Sequence, residues 1–264
     1  PKANINTSEL ATIDGSLYAS SRCENRNIVI TLGMLFAPTI EDSRQKTYKF
    51  FPIKKQIRLE IETDNRLAEI SGYVESNEPN IFSSEESTQI SIICPDPYFY
   101  EVGGSEKVYT NVEPLFEFPF SNESLTENLI EMGKMVDDPR AVLSYVGDMD
   151  TGVVITIHAL TKSGDITLYN VDTREHFKIF DAQIKALTGA VFDAGDDIII
   201  STVKGNKYAR LLREGKETNI ISAVDMDADW FQVSNGVNMF NFVTQEEEAN
   251  LLITFSYKNA YGGI

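Results

Sequence analysis

The sequence predicts a mainly β protein in two parts. Residues 1–104 form a β-rich module with one short helix, and residues 105–264 form an antiparallel β sandwich. Three observations predict this. The β-rich run Ile90-Ser91-Ile92-Ile93-Cys94 stops at Pro95 and Pro97, which lack the N–H a continuing ladder needs. Gly103-Gly104-Ser105 follows as a linker. Beyond it, short apolar strands recur between turn residues without a long helix, the texture of a sandwich.

Taken in order, residues 1–15 are polar and end in the Asp14-Gly15 turn signal, which reads as an edge or arm. Asn27 to Leu32 is β-branched and apolar, a strand. From Thr39 to about Phe51 the chain reads as a helix. Thr39 caps it, Glu41 and Asp42 occupy the first turn, and Pro52 ends it. Ile57, Leu59 and Ile61 alternate with Arg58, Glu60 and Glu62, which makes Gln56 to Thr63 a half-buried strand. Asp64-Asn65 turns the chain into a second strand, Leu67 to Ser76, interrupted at Gly72 by a bulge or a close backbone approach. A polar loop through Asn77-Glu78-Pro79-Asn80 precedes the Ile90 strand. The aromatic triplet Tyr98-Phe99-Tyr100 is too apolar for water and packs either on a neighbour or in the first module's core.

In the second module strands are expected at Leu115–Phe118, Arg140–Tyr145, Gly152–Ala159, Ile166–Asn170, Asp197–Val203, Tyr208–Arg213, Trp230–Val233, Met239–Val243 and Leu251–Tyr257. Turn residues such as Ser163-Gly164-Asp165, Lys204-Gly205-Asn206 and Asn235-Gly236 separate them.

With 264 residues, the chain can bury a core without disulfides or metal. No run reaches the length of a membrane span, and Pro1-Lys2-Ala3-Asn4 shows no secretory pattern. Cys23 and Cys94 lie in strand-like surroundings without ligand spacing, the signature of free thiols in a reducing cytoplasm. The net charge of −17 argues against a bound nucleic acid, since phosphate neutralisation needs clustered Lys and Arg. The acid is uneven: residues 1–104 hold 10 basic and 15 acidic groups, residues 105–264 hold 13 and 25.

No catalytic, cofactor or metal site is assigned from the residues, and a ligand-binding site stays unknown. There is no GxSxG, P-loop, GxGxxG or HExxH. Asp225-Met226-Asp227-Ala228-Asp229 has the alternating carboxylates of a calcium loop, but Trp230 stands where the sharp turn needs Gly and Gly236 where a bidentate Glu belongs. A solvated loop is the expectation. His158 and His176 are the only histidines, too few for a histidine-rich metal site. Trp230, the only tryptophan, begins a strand beside Phe231 and is expected to anchor the core rather than stack on a saccharide.

Together these residues resemble a family. Arg26-Asn27-Ile28-Val29-Ile30, the segment Tyr48-Lys49-Phe50-Phe51-Pro52-Ile53-Lys54-Lys55, the Gly72-Tyr73-Val74-Glu75 strand and above all Ile92-Ile93-Cys94-Pro95-Asp96-Pro97-Tyr98-Phe99 resemble the distal tail proteins of long-tailed bacteriophages (siphophages) of Gram-positive hosts. Tyr145-Val146-Gly147-Asp148, Ala194-Gly195-Asp196, Gly205-Asn206-Lys207 and Trp230-Phe231 look like that family's C-terminal galectin-like sandwich. The resemblance implies a non-enzymatic virion protein of the tail tip or baseplate, assembled in the bacterial host cytoplasm. Its N-terminal belt module would form a hexameric ring joining the tail tube protein to tail-associated, baseplate and receptor-binding proteins, with DNA passing through. No membrane or specific nucleic-acid partner and no cofactor is implied. Members usually carry a longer strand-bearing segment before the turn that corresponds to Asp14-Gly15, and ring formation depends on such strands pairing between neighbours. The rival reading is a carbohydrate-binding module for host cell-wall saccharide.

Overall fold

A computed structural model of the chain describes residues 2–9, 14–35, 39–81, 86–110, 112–114, 133–135, 140–246 and 250–264. It is mainly β, and every described strand pairing is antiparallel. The chain divides into two compact units, Pro1–Val102 with Ala260–Ile264, and Gly103–Asn259. The sequence reading placed everything from residue 105 onward in one module; the last five residues cluster with the first unit instead.

The first unit begins with β1 (Ala3–Glu9) and β2 (Ser16–Cys23), which among the described residues pair only with each other. β3 (Arg26–Gly33) precedes α1 (Ile40–Phe50), and β4 (Gln56–Glu62) and β5 (Leu67–Asn80) form the expected hairpin. β6 (Ser87–Cys94) and β7 (Phe99–Glu101) both pair with β5 on the side away from β4, and β3 lies outside β6. β5 runs four residues beyond the expected strand, through the segment read as a polar loop. The reason is Asn77, whose buried Oδ1 accepts the Thr88 hydroxyl at 2.6 Å, so the amide is satisfied inside the sheet. Gly72 is a close approach: a Cβ there would stand 2.7 Å from both Cys94 Sγ and Ile92 Cγ2.

Pro95 and Pro97 step the chain from β6 to β7 without leaving β5. Phe99 is buried in this unit's core beneath the Arg26 guanidinium, 4.6 Å from its ring centre. Tyr98 donates to Cys23 Sγ at 3.1 Å and Tyr100 to Asp96 Oδ2 at 2.7 Å. The triplet therefore serves the first unit itself. Burial pushes the Cys94 thiol pKa up. Helix α1 forms for the expected reason: Thr39 Oγ1 accepts the Asp42 N–H at 3.1 Å while its own proton goes to Asp42 Oδ2 at 2.7 Å.

The second unit starts with β8 (Ser105–Thr110), the small ribbon of β9 (Val112–Pro114) and β10 (Gly133–Met135), and β11 (Arg140–Tyr145). The strand expected at Leu115–Phe118 lies outside the described residues. There follow β12 (Thr151–Gly152), β13 (Val154–Ala159), β14 (Ile166–Asn170), β15 (His176–Ile179) and α2 (Asp181–Thr188). The unit continues with β16 (Asp197–Ser201), β17 (Tyr208–Arg213), β18 (Lys216–Asn219), β19 (Gln232–Val233), β20 (Gly236–Thr244) and β21 (Leu251–Tyr257). Six strands, β18-β17-β16-β13-β21-β8, make one sheet, and four, β11-β20-β14-β15, make the other.

The sheets bury one shared core, because β11, β13, β14, β16, β17, β20 and β21 alternate inward apolar with outward side chains. A line of aromatics crosses it: Phe177 to Phe231 at 6.3 Å between ring centres, Phe231 to Phe240 at 5.5 Å, and Phe240 to Phe255 at 5.0 Å. β22 (Ala260–Tyr261) then pairs with β7.

Candidate assembly surface

The first unit is conspicuous for what it leaves uncovered. Its described core holds eight buried residues, Ala68, Ile70, Val74, Ile90, Ile92, Cys94, Phe99 and Tyr261, all supplied by β5, β6, β7 and β22. The flanking strands contribute only half-buried side chains: Ile28, Ile30 and Leu32 from β3, and Ile57, Leu59 and Ile61 from β4. Their period-2 alternation aims each row at the core face, yet no layer of the described first unit buries them. Both strands are also edges, since β3 pairs only with β6 and β4 only with β5 among the described residues. β3 offers eight residues without a proline or an irregular register, so nothing blunts that edge.

The β1–β2 hairpin is more exposed still. Every β1 residue and all of β2 except Cys23 are exposed, including Ile5 at 60%, Leu17 at 57% and Tyr18 at 65%. Before the bulge at Asn6/Thr7, Ala3, Ile5, Ser21 and Cys23 share one face, and Asn4, Asn6, Ser20 and Arg22 the other. Asn6 Nδ2 donates to Ser20 Oγ at 3.0 Å. A two-stranded ribbon of this kind is marginal in water unless something packs on it. α1 buries none of its residues, and Phe50 and Ile53 at its end are 68% and 52% exposed. Edges, half-covered rows and ribbon together give the first unit a surface suited to another β protein.

The residues weighed for chemistry are occupied structurally. Asp225 and Asp229 donate their N–H groups to the Lys178 and His176 carbonyls at 2.9 and 2.8 Å, and Asp229 Oδ2 accepts the His176 N–H at 3.1 Å. The acidic loop thus finishes the β15 edge. Among the described residues no three His, Cys, Asp or Glu side chains converge on a metal position. His158 Nδ1 lies 2.7 Å from Asp197 Oδ1 on the neighbouring strand. Trp230 packs edge-on against Phe177, 5.3 Å between centres, and the Lys207 ammonium lies 5.3 Å above its ring. It is a partly buried anchor of the core, with a cation where a sugar would have to stack.

One ion pair was not legible in sequence. Arg213 donates to both Asp196 oxygens, to Val191 O at 2.6 Å and to Thr188 Oγ1 at 3.2 Å, tying β17 to the end of α2. Burial would raise the Asp196 pKa, but the Arg213 hydrogen bonds and the Asp193 N–H outweigh it and hold the carboxyl below its ordinary value.

No protein-family model matches the chain, and no curated protein matches it in sequence. Solved structures do match its fold. The crystal structure of the SPP1 Dit (gp 19.1) protein, described as a paradigm of the hub adsorption apparatus in Gram-positive-infecting phages, is similar over 97% of this chain and 88% of its own, with a TM-score of 0.63 and 14% identity. The phage P2 baseplate in its activated conformation with Ca aligns over 96% of this chain and 86% of that chain, with a TM-score of 0.46 and 13% identity. The chain shares the mainly β fold of the SPP1 protein.

Proposed function

We propose that this chain is a structural protein of a phage tail tip, a hub whose first unit closes into a ring with copies of itself. The observation that carries the reading is the pair of apolar edges on that unit: β3 and β4 lie on opposite sides of one sheet, each with a half-buried row. Joining the β3 edge of one copy to the β4 edge of the next is a head-to-tail contact, which closes into a ring when the rotation permits. The exposed β1–β2 ribbon gains a neighbour to lie on in the same assembly. Six copies, as the resemblance to distal tail proteins implies, would surround a lumen for DNA and join the tail tube protein to baseplate and receptor-binding proteins. The role is scaffolding rather than catalysis.

The fold shared with the SPP1 hub protein supports this reading, and Trp230, packed against Phe177 with Lys207 over its ring, favours it over saccharide binding. The test is the native mass of the full-length protein by light scattering, with particles imaged by electron microscopy. A ring near six times the 29.6 kDa of one chain is expected. A persistent monomer that binds wall polysaccharide would overturn the proposal.

A further inference from the structure

Residues 43–59 hold six of the chain's 23 basic residues and none of its 40 acids. They run from within α1 through a corner into β4. Phe50 and Ile53 are 68% and 52% exposed at that corner. Lys49, Lys54 and Lys55 beside them are exposed and form no ion pair with a described residue. The backbone pins the corner to β5, the Lys54 N–H donating to the Val74 carbonyl at 2.9 Å and the Val74 N–H to the Lys55 carbonyl at 3.3 Å. Lys54 sits at φ 66°, where glycine would stand without strain, so the corner carries a cation at a conformational cost. It is a fixed, apolar, unpaired basic knuckle on an acidic protein.

The β1–β2 ribbon carries the complement. From Ala3 to Ser21 the chain has no basic residue and two acids, Glu9 and Asp14, both exposed and neither in an ion pair with a described residue. Beyond the bulge, Thr7 lies opposite Tyr18 and Glu9 opposite Ser16, so these four share one face. Tyr18, 65% exposed, thus stands on the same face as the Glu9 carboxylate. The exposure of both Tyr18 and Phe50 means that the ribbon of one copy leaves that copy's own knuckle uncovered.

We propose that the Tyr18 face of the β1–β2 ribbon of one copy docks on the α1–β4 corner of a neighbouring copy, the tyrosine ring against Phe50 and Ile53, with Glu9 and Asp14 toward Lys54 and Lys55. Charge selects the occupant: the knuckle's cations lack partners in their own chain, and the ribbon's two acids lack them as well. Apolar contact selects it too, because a two-stranded ribbon needs a further layer and an aromatic pair supplies one. A contact of a few side chains falls well short of the roughly 800 Å² per partner of a self-sufficient interface. It therefore forms between copies already held at high effective concentration by their sheet edges, and in that sense it rests on the ring reading.

The experiment places a photo-crosslinking benzoylphenylalanine at position 18 of the full-length protein and mixes isotopically light and heavy copies. Mixed-isotope crosslinks from 18 to residues 48–56 are expected in the assembled fraction. Lys54→Glu with Lys55→Glu should cut their yield at least tenfold, and adding Glu9→Lys and Asp14→Lys to the same chain should restore most of it. All four side chains are exposed, so these variants should melt with the parent; Phe50→Ser, also at an exposed position, is a second variant with a smaller loss. Assembled rings that crosslink from 18 elsewhere, or only within one copy, or whose yield ignores the lysine reversal, would overturn the contact. A chain that stays monomeric overturns the ring reading. The contact falls with it when no mixed-isotope crosslink appears at high concentration, and stands without the ring when one does.

Discussion

Replacing Ile30 with Asp tests the ring at its proposed seam. The six side chains of the β3 and β4 rows are mostly covered already, with at most about a third of each exposed, so each retains roughly a third of the 1.5–3 kcal/mol that full burial brings, about 0.5–1 kcal/mol apiece. Covering both rows offers on the order of 4 kcal/mol toward association before its entropic cost. Ile30→Asp removes about 1 kcal/mol of that and forces a carboxylate into the seam, at a further cost of roughly 2 kcal/mol or more. A loss of about 3 kcal/mol per contact is more than a hundredfold in Kd, repeated at every seam of a closed ring. In the free chain Ile30 already packs against the first unit's core, so Asp there also costs folding about 2 kcal/mol, roughly 5–10 °C of the first unit's Tm. Native mass spectrometry should find the variant as folded monomers at concentrations where the parent is a ring, below its own melting transition. Leu59→Asp on the opposite edge should do the same. A variant that assembles like its parent would refute the assignment of the seam.

Three further outcomes are expected. Asp196→Asn breaks the bidentate contact with Arg213 and should destabilise the second unit by about 2–4 kcal/mol in chemical denaturation, since Arg213 is left largely without its partner. Because the folded pKa of Asp196 is depressed, this stabilisation is present above the unfolded carboxylate pKa, near 3.9, and is lost as pH falls through the folded value; the variant should therefore melt with a shallower acid limb than the parent below about pH 4. Gly72→Ala should cost about 1–3 kcal/mol of first-unit stability by calorimetry, from the 2.7 Å encounters with Ile92 and Cys94, and a neutral result would mean the strands separate freely there. Tyr261→Ala removes a buried ring stacked under Arg66, 4.3 Å away, and should lower the first unit's transition by about 3 kcal/mol while the second unit's stays in place.

The second unit was the more legible because its burial pattern is complete. Arg140–Tyr145, Ile166–Asn170, Tyr208–Arg213 and Leu251–Tyr257 stand where their alternation placed them, each with one face on the shared core. The elements that escaped sequence reading lack such a record. α2 is eight residues long, and its N-cap Phe180 makes no side-chain capping bond; only Gly189, left-handed at its C-terminus, marks the stop. β18, Lys216–Asn219, is polar throughout and is placed by the strand it pairs with rather than by its own pattern. The Arg213–Asp196 pair joins residues 17 apart, and nothing in a chain of 40 acids distinguishes that carboxylate beforehand.

The first unit was harder to read for a different physical reason. Alternation records which face a strand buries within its own chain, and β1 and β2 bury neither, so residues 1–15 look merely polar. β4 sits between the two cases: its apolar row is plain in sequence, and the structure leaves that row half-covered. A strand whose pattern predicts more burial than its own chain delivers fits the proposed seam. Arg26 makes the complementary point. It covers Phe99 and donates to the Gly262 carbonyl at 2.6 Å, across 236 residues of sequence, so the core of the first unit is completed only when the segment beyond the entire second unit is in place. Contacts of such sequence separation form late in folding. The apolar edges of β3 and β4 flank that same core, so a chain lacking β22 presents them on an unfinished unit, and the proposed ring would close most readily among complete copies.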